Sequence, residues 1–113
     1  MSARLTAAML VGALARRVHS AGGSAMVLAK GDPTSGAILL ICYEKGANPR
    51  FRERMTGPDG KPELVAAGPA APGDETEVTA YWQRRRSRDS DLWVVELDIA
   101  EAERFAAETM FGG

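Results

Sequence analysis

The sequence predicts an α+β fold: a mostly antiparallel sheet of about five strands with helices on both faces, a three-layer α-β-α arrangement. Two observations carry this expectation. Ala37-Ile38-Leu39-Leu40-Ile41-Cys42 is apolar without alternation, the pattern of a strand covered on both faces. A strand covered twice needs a helical layer on each side. Ala7, Leu10, Val11, Leu14 and Val18 recur at helical spacing, while shorter strand-like runs elsewhere are punctuated by glycine, proline and aspartate.

The first helix is expected over 5–20, with Gly22-Gly23 stopping it and Arg16, Arg17 and His19 complementing its dipole. A strand over 25–30 leads through the loop Gly31 to Gly36 into the doubly buried strand over 37–44. A third strand over 50–55 turns at Gly57-Pro58-Asp59-Gly60 into a fourth over 63–66, so the first four strands read as a meander of hairpins. The Ala, Gly and Pro-rich stretch 66–73 is a connecting loop. Asp74 and Glu77 form a near capping box for a second helix with Val78, Tyr81 and Trp82 facing inward. Strand five, over 92–98, puts Trp93, Val95 and Leu97 on one face. Asp98 and Glu101 repeat the capping spacing for a last helix from Ile99 to about Thr109, with Ala102, Phe105 and Ala106 inside.

At 113 residues the chain is expected to be a single globular domain over 1–113. Its 14 lysines and arginines nearly balance 15 acids, so no overall field draws it to nucleic acid or membrane. An uncharged run from Leu5 to Ala15, preceded by Arg4 and followed by no acid before Asp32, has some features of an export signal. Arg16 and Arg17 stand where such a signal needs an uncharged cleavage region, and the run is too short to span a bilayer. A lone Cys42 suits a reducing compartment, so the expected location is cytoplasmic.

The catalytic inventory is thin. With one histidine and one cysteine, the common metal sites and the Ser-His-Asp and Cys-His machineries lack their parts. No catalytic, cofactor-binding or metal residue is assigned. A His19–Cys42 pair is the one conceivable thiol dyad, and a buried cysteine is usually inert core.

Four features remain. The loop Gly31 to Gly36 matches the start of a phosphate-binding G-x4-G, but Ala37-Ile38 replaces its lysine and hydroxyl residue and a strand follows instead of a helix. It reads as an Asx-Pro turn, with Lys30, Asp32, Thr34 and Ser35 as a candidate ligand loop. Arg50, Arg52 and Arg54 share one strand face, where guanidinium groups could grip phosphates or merely pair with acids. Arg84, Arg85, Arg86 and Arg88 cluster beside Tyr81, Trp82 and Trp93, the composition of a stacking platform if the tryptophans are exposed and of an ordinary helix end if they are core. The two arginine groups are expected to share a patch balanced mainly by Glu44, Glu53, Asp89 and Asp91. Glu96, in an otherwise apolar strand, should emerge near the strand end or meet an arginine.

Lys30-Gly31-Asp32-Pro33 with Gly36, and the block from Arg85 to Glu96 containing Asp91-Leu92-Trp93-Val94-Val95, resemble a small alphaproteobacterial family of stand-alone domains of unknown function. The resemblance covers most of the chain and implies a cytosolic bacterial domain of α-β-α type. It supplies no activity, cofactor or catalytic residue. The alanine-rich C-terminal helix departs from the more polar tail expected of that family.

The leading functional expectation is a non-enzymatic binding or adaptor module for a protein partner, with the arginine-rich edge as contact surface. RNA binding through both arginine clusters is the alternative. A small-anion binder or enzyme using arginines and carboxylates around Lys30, Asp32, Arg52 and Glu96 is the third.

Overall fold

The computed structural model describes residues 5–56 and 58–111. Along the chain run α1 (Ala7–Ser20), β1 (Ser24–Ala29), β2 (Ile38–Glu44), β3 (Ala47–Thr56), β4 (Pro62–Ala66), α2 (Glu75–Arg88), β5 (Trp93–Asp98) and α3 (Ala102–Phe111). Arg4 and the turn residue Gly57 lie outside the described residues.

Local chemistry sets the helix ends. Thr6 caps α1, its hydroxyl accepting from the Met9 amide at 3.2 Å. At the other end the Gly22 and Gly23 amides donate to the His19 and Val18 carbonyls, a Schellman closure with Gly22 at φ 91°. Asp74 caps α2 through the Glu77 amide at 2.9 Å, while the Glu77 carboxylate reaches back to the Gly73 amide.

The expected cap of α3 does not form. Asp98 is still a strand residue, paired with Ser24 and Tyr43, and its carboxylate accepts from the Gly46 amide at 2.8 Å. The chain turns instead at Glu101, with φ 58°, whose carbonyl accepts from the Arg104 and Phe105 amides. The helix therefore starts at Ala102, three residues later than its spacing predicts.

The strands form one sheet in the order β1-β5-β2-β3-β4. β2, β3 and β4 make the expected antiparallel hairpins. The expected β1–β2 hairpin is replaced: β5 inserts between them, antiparallel to β1 and parallel to β2. The apolar content of the strands explains the insertion. β2 and β5 are the two strands buried on both faces, and side by side in the middle of the sheet both are covered.

The faces follow from strand parity. Ile38, Leu40, Cys42, Trp93, Val95 and Leu97 pack beneath α1 and α3. Leu39, Ile41, Phe51, Leu92 and Val94 form a second core, closed by Val78, Tyr81 and Trp82 of α2. The fold is thus three-layered, with two helices on one face and one on the other. Trp93 is buried, whereas Trp82 is only half-buried at the margin of its core. Among the described residues no helix is long and apolar enough to cross a membrane.

Candidate functional site

In the loop from Lys30 to Gly36 the Asp32 carboxylate, the Ser35 hydroxyl and several main-chain groups are engaged within the fold. The Asp32 carboxylate accepts from the Thr34 and Ser35 amides at 3.1 and 2.8 Å and from the Ser35 hydroxyl. The Ser35 amide, with that of Thr34, holds the Asp32 carboxyl below its ordinary range. The Thr34 and Pro33 carbonyls accept from the Ala7 and Ala8 amides at 3.0 and 2.9 Å, filling the start of α1 where an anion would otherwise sit. Lys30 is exposed and gives its main-chain oxygen to Arg86.

The inserted strand explains this loop. To pass from β1 to β2 the chain must cross the entrance of β5. Gly31 and Gly36 both pack on the Asp91 carbonyl, and a Cβ at either would collide with it. The Asp32 amide donates to that same oxygen at 3.0 Å, and the Trp93 indole donates to the Asp32 carbonyl at 2.8 Å. The two sequence blocks that carry the family resemblance are therefore two sides of one crossing.

The arginine rows lie on opposite faces of the sheet. Arg50 and Arg52 sit across from Cys42 and Leu40, beneath α3. Arg50 forks onto Glu103 at 2.6 and 2.9 Å, and Arg52 approaches the same carboxylate at 3.5 Å. Arg54, on the same parity, pairs with Leu64 and leaves a buried Nε without a partner. Arg85 lies on the α2 side and forks onto Glu53 at 2.8 and 3.0 Å while meeting the Tyr81 hydroxyl at 3.0 Å. Arg84 rests 6.0 Å from the Tyr81 ring centroid, and Arg88 is exposed. The expected shared patch is thus divided by the sheet. Glu53 is one of its four expected counterions; the other carboxylate is Glu103, contributed by α3.

Cys42 is fully buried, and burial, with Glu103 next in size, pushes its thiol up to about 12. His19 is exposed on the sheet margin, where Nε2 accepts from the Ala25 amide at 3.1 Å. Ala25 pairs with Leu97 and Leu97 with Cys42, so two strand spacings of about 4.8 Å separate the proposed dyad partners.

Two features were not singled out from sequence. One is a cleft of about 440 Å³ between the β2–β3 turn and the start of α2, lined by Tyr43, Asn48, Glu75, Val78, Glu96 and Asp98 among others. Glu96 does emerge, into this cleft, and burial followed by Asp98 and Glu75 raises its carboxyl above the ordinary value. Lys30, Asp32 and Arg52 do not line it. Among the described residues no group of three or more metal-ligating side chains converges. The other feature is the free edge of β1, where Met26 is 58% and Val27 38% exposed. The available signal was the run Ser24 to Ala29, which carries no charge and no proline.

Fold and surface together define a small three-layer α+β domain whose most characteristic residues are structural. The chain belongs to the DUF1491 family, described as proteins of unknown function, which it matches over residues 5–107. A crystal structure of a DUF1491 protein from Caulobacter crescentus superposes with a TM-score of 0.79 at 29% identity, covering 89% of this chain and 94% of that one. An NMR structure of a DUF1491 protein from the same organism gives 0.78 at 28%, covering 92% and 94%. The solution structure of protein Atu0922 from A. tumefaciens gives 0.68 at 33% identity, covering 88% and 89%. Both sources are alphaproteobacteria, as the resemblance implied. No curated protein matches the chain.

Proposed function

We propose that this single domain is a non-enzymatic binding module for a protein partner in the bacterial cytoplasm, and that the partner docks on the free β1 edge. One observation carries the reading. β1 is an uncharged sheet edge with two exposed apolar side chains, whereas Arg50, Arg52 and Arg85 are paired within the fold. The contact surface expected from sequence is therefore moved from the arginines to the edge strand. Division of the arginines between opposite faces weighs against the RNA-binding alternative, which needs one continuous basic surface. The buried, proton-holding Cys42 and its distance from His19 weigh against thiol catalysis. The buried cysteine and the bacterial relatives support the cytoplasmic setting.

The test is affinity capture from the native host with wild-type and Met26→Lys baits, with and without nuclease. A partner that survives nuclease and is lost from the Met26→Lys bait supports the reading. Capture that disappears with nuclease, or is indifferent to Met26→Lys, overturns it.

A further inference from the structure

We propose that the β1 edge takes an extended segment of a partner protein as a sixth strand, and that this segment places a lysine or arginine beside Met26 on the α2 side. The inference rests on the protein-binding reading above and specifies the chemistry of the partner.

The two edges of the sheet are built differently. β4 begins with Pro62, with exposed Lys61 and Glu63 on either side, which are residues that discourage another strand from pairing. β1 carries neither proline nor charge over Ser24 to Ala29; exposed Lys30 follows it, and its register with β5 shifts between Val27 and Ala29, so the part open to pairing is centred on Ala25 to Val27. Its backbone orientation is fixed by His19. Because the Ala25 amide donates to His19 Nε2, it points away from β5. Alternate strand residues turn their polar groups to the same side, so the Val27 amide and carbonyl also face outward. His19 thus satisfies the first outward donor and leaves Val27 for an incoming strand.

The side-chain environment differs above and below that strand. Val27 lies across from Val95, on the α1 side. Ala8, Gly12, Ala15 and His19 follow helical spacing along one flank of α1, and His19 reaches the β1 edge, so this flank overhangs it. Its residues are small, and the Arg16 guanidinium lies against Gly12, so a partner strand would meet a shallow surface there. On the other side Met26 pairs with Glu96 and Ser24 with Asp98, and Glu75 faces the same cleft. No lysine or arginine lines this cleft, and among the described residues neither Glu96 nor Glu75 enters an ion pair. A sixth strand would lie about 10 Å from β5, a span that a lysine or arginine and Glu96 close by leaning across Met26. The aliphatic stem then covers the exposed thioether.

A second copy of the chain fits less well. Ser24 to Ala29 carries no cation to set against Glu96, since Lys30 of a second copy paired about Val27 would fall opposite Ser24 rather than Met26, and self-pairing about a two-fold axis perpendicular to the sheet brings both acidic groups to the same side.

The experiment is an NMR titration of the full-length, 15N-labelled protein with two capped heptapeptides of alternating threonine and valine. One carries lysine at its central threonine position and the other glutamate. The expected result is shift changes and slowed hydrogen exchange at Val27, with the lysine peptide binding up to about fivefold tighter, the ratio an exposed ion pair supplies. Glu96→Gln should erase that ratio, and Val27→Pro and Met26→Lys should each abolish binding. Met26→Lys is an exposed change that leaves the fold intact, so it decides the matter if Val27→Pro does not fold. Equal binding of the two peptides, perturbation confined to other elements, or no binding at millimolar peptide overturns the proposal. So does concentration-dependent dimerisation abolished by Met26→Lys, which would make a second copy the occupant. If the peptides fail while a Met26-dependent partner is still captured, the strand chemistry falls and the protein-binding reading stands.

Discussion

The indole nitrogen of Trp93 lies 2.8 Å from the main-chain oxygen of Asp32, joining the first residue of β5 to the loop that crosses it. Around that bond Gly31 and Gly36 rest directly on the Asp91 carbonyl. The most recognisable residues of the chain therefore hold a topological crossing, and their substitution should register as lost stability before anything else.

Gly31→Ala and Gly36→Ala are each expected to destabilise by about 2–4 kcal/mol, because the new methyl meets backbone that is itself hydrogen-bonded. Trp93→Phe should cost about 1 kcal/mol, removing the shorter of the two hydrogen bonds to the Asp32 carbonyl and leaving that from the Gly36 amide. Urea denaturation of the three variants checks both, and a glycine variant within experimental error of wild type would refute the crossing argument.

Cys42 should be unreactive in the native protein. With its thiol raised to about 12 and its side chain fully buried, almost none is thiolate at neutral pH. Labelling by a thiol reagent should match the global opening rate and speed up in step with added denaturant. Rapid labelling without denaturant would place β2 at the periphery of the sheet.

The forked pairs on the two faces should be energetically independent. Arg85→Met with Glu53→Gln, and Arg50→Met with Glu103→Gln, are each expected to show coupling of about 1 kcal/mol in double-mutant cycles. Cross-cycles between the two pairs should give values near zero, since the sheet separates them. Substantial cross-coupling would contradict the two-sided arrangement.

Acid should reveal two carboxylates of opposite sense. The Arg50 fork holds the Glu103 carboxyl below its ordinary value, so its stabilisation is complete above the unfolded value of about 4.3 and is lost as pH falls through the folded one. Burial, reinforced by Asp98 and Glu75, raises that of Glu96, so its contribution favours the fold below about 4.3 and is withdrawn as pH rises through the folded value. Glu96→Gln should therefore be more stable than wild type at pH 7 and indistinguishable near pH 3, whereas the deficit of Glu103→Gln should shrink on acidification. Stability curves for both variants from pH 3 to 8 settle the signs.

Much of the fold was legible because it is encoded locally. The apolar stripe of α1, its glycine stop, the Asp74 cap and the unbroken run in β2 each specify their own conformation. Strand order was not legible: nothing in Ser24 to Ala29 says that its neighbour lies some seventy residues away rather than next along the chain. The same limit governed the arginines. Parity puts Arg50, Arg52 and Arg54 on one face, but their counterion Glu103 comes from α3, and only the three-dimensional arrangement assigns α3 and α2 to opposite sides. Asp98 shows the opposite error, a correct capping spacing overruled by a tertiary acceptor role toward Gly46.

The insertion of β5 between β1 and β2 also dictates an order of assembly during synthesis. The first strand made has no sheet neighbour until the last strand has emerged, so the earliest apolar segments wait, unpaired, while nearly the whole chain is translated. The β2–β3–β4 hairpins can form ahead of it and offer α1 the apolar face of Ile38, Leu40 and Cys42, but β1 joins the sheet only when Trp93 to Asp98 arrives. A chain ending before Trp93 therefore leaves β1 with no strand to pair with and strips α1 of half the apolar floor it packs on.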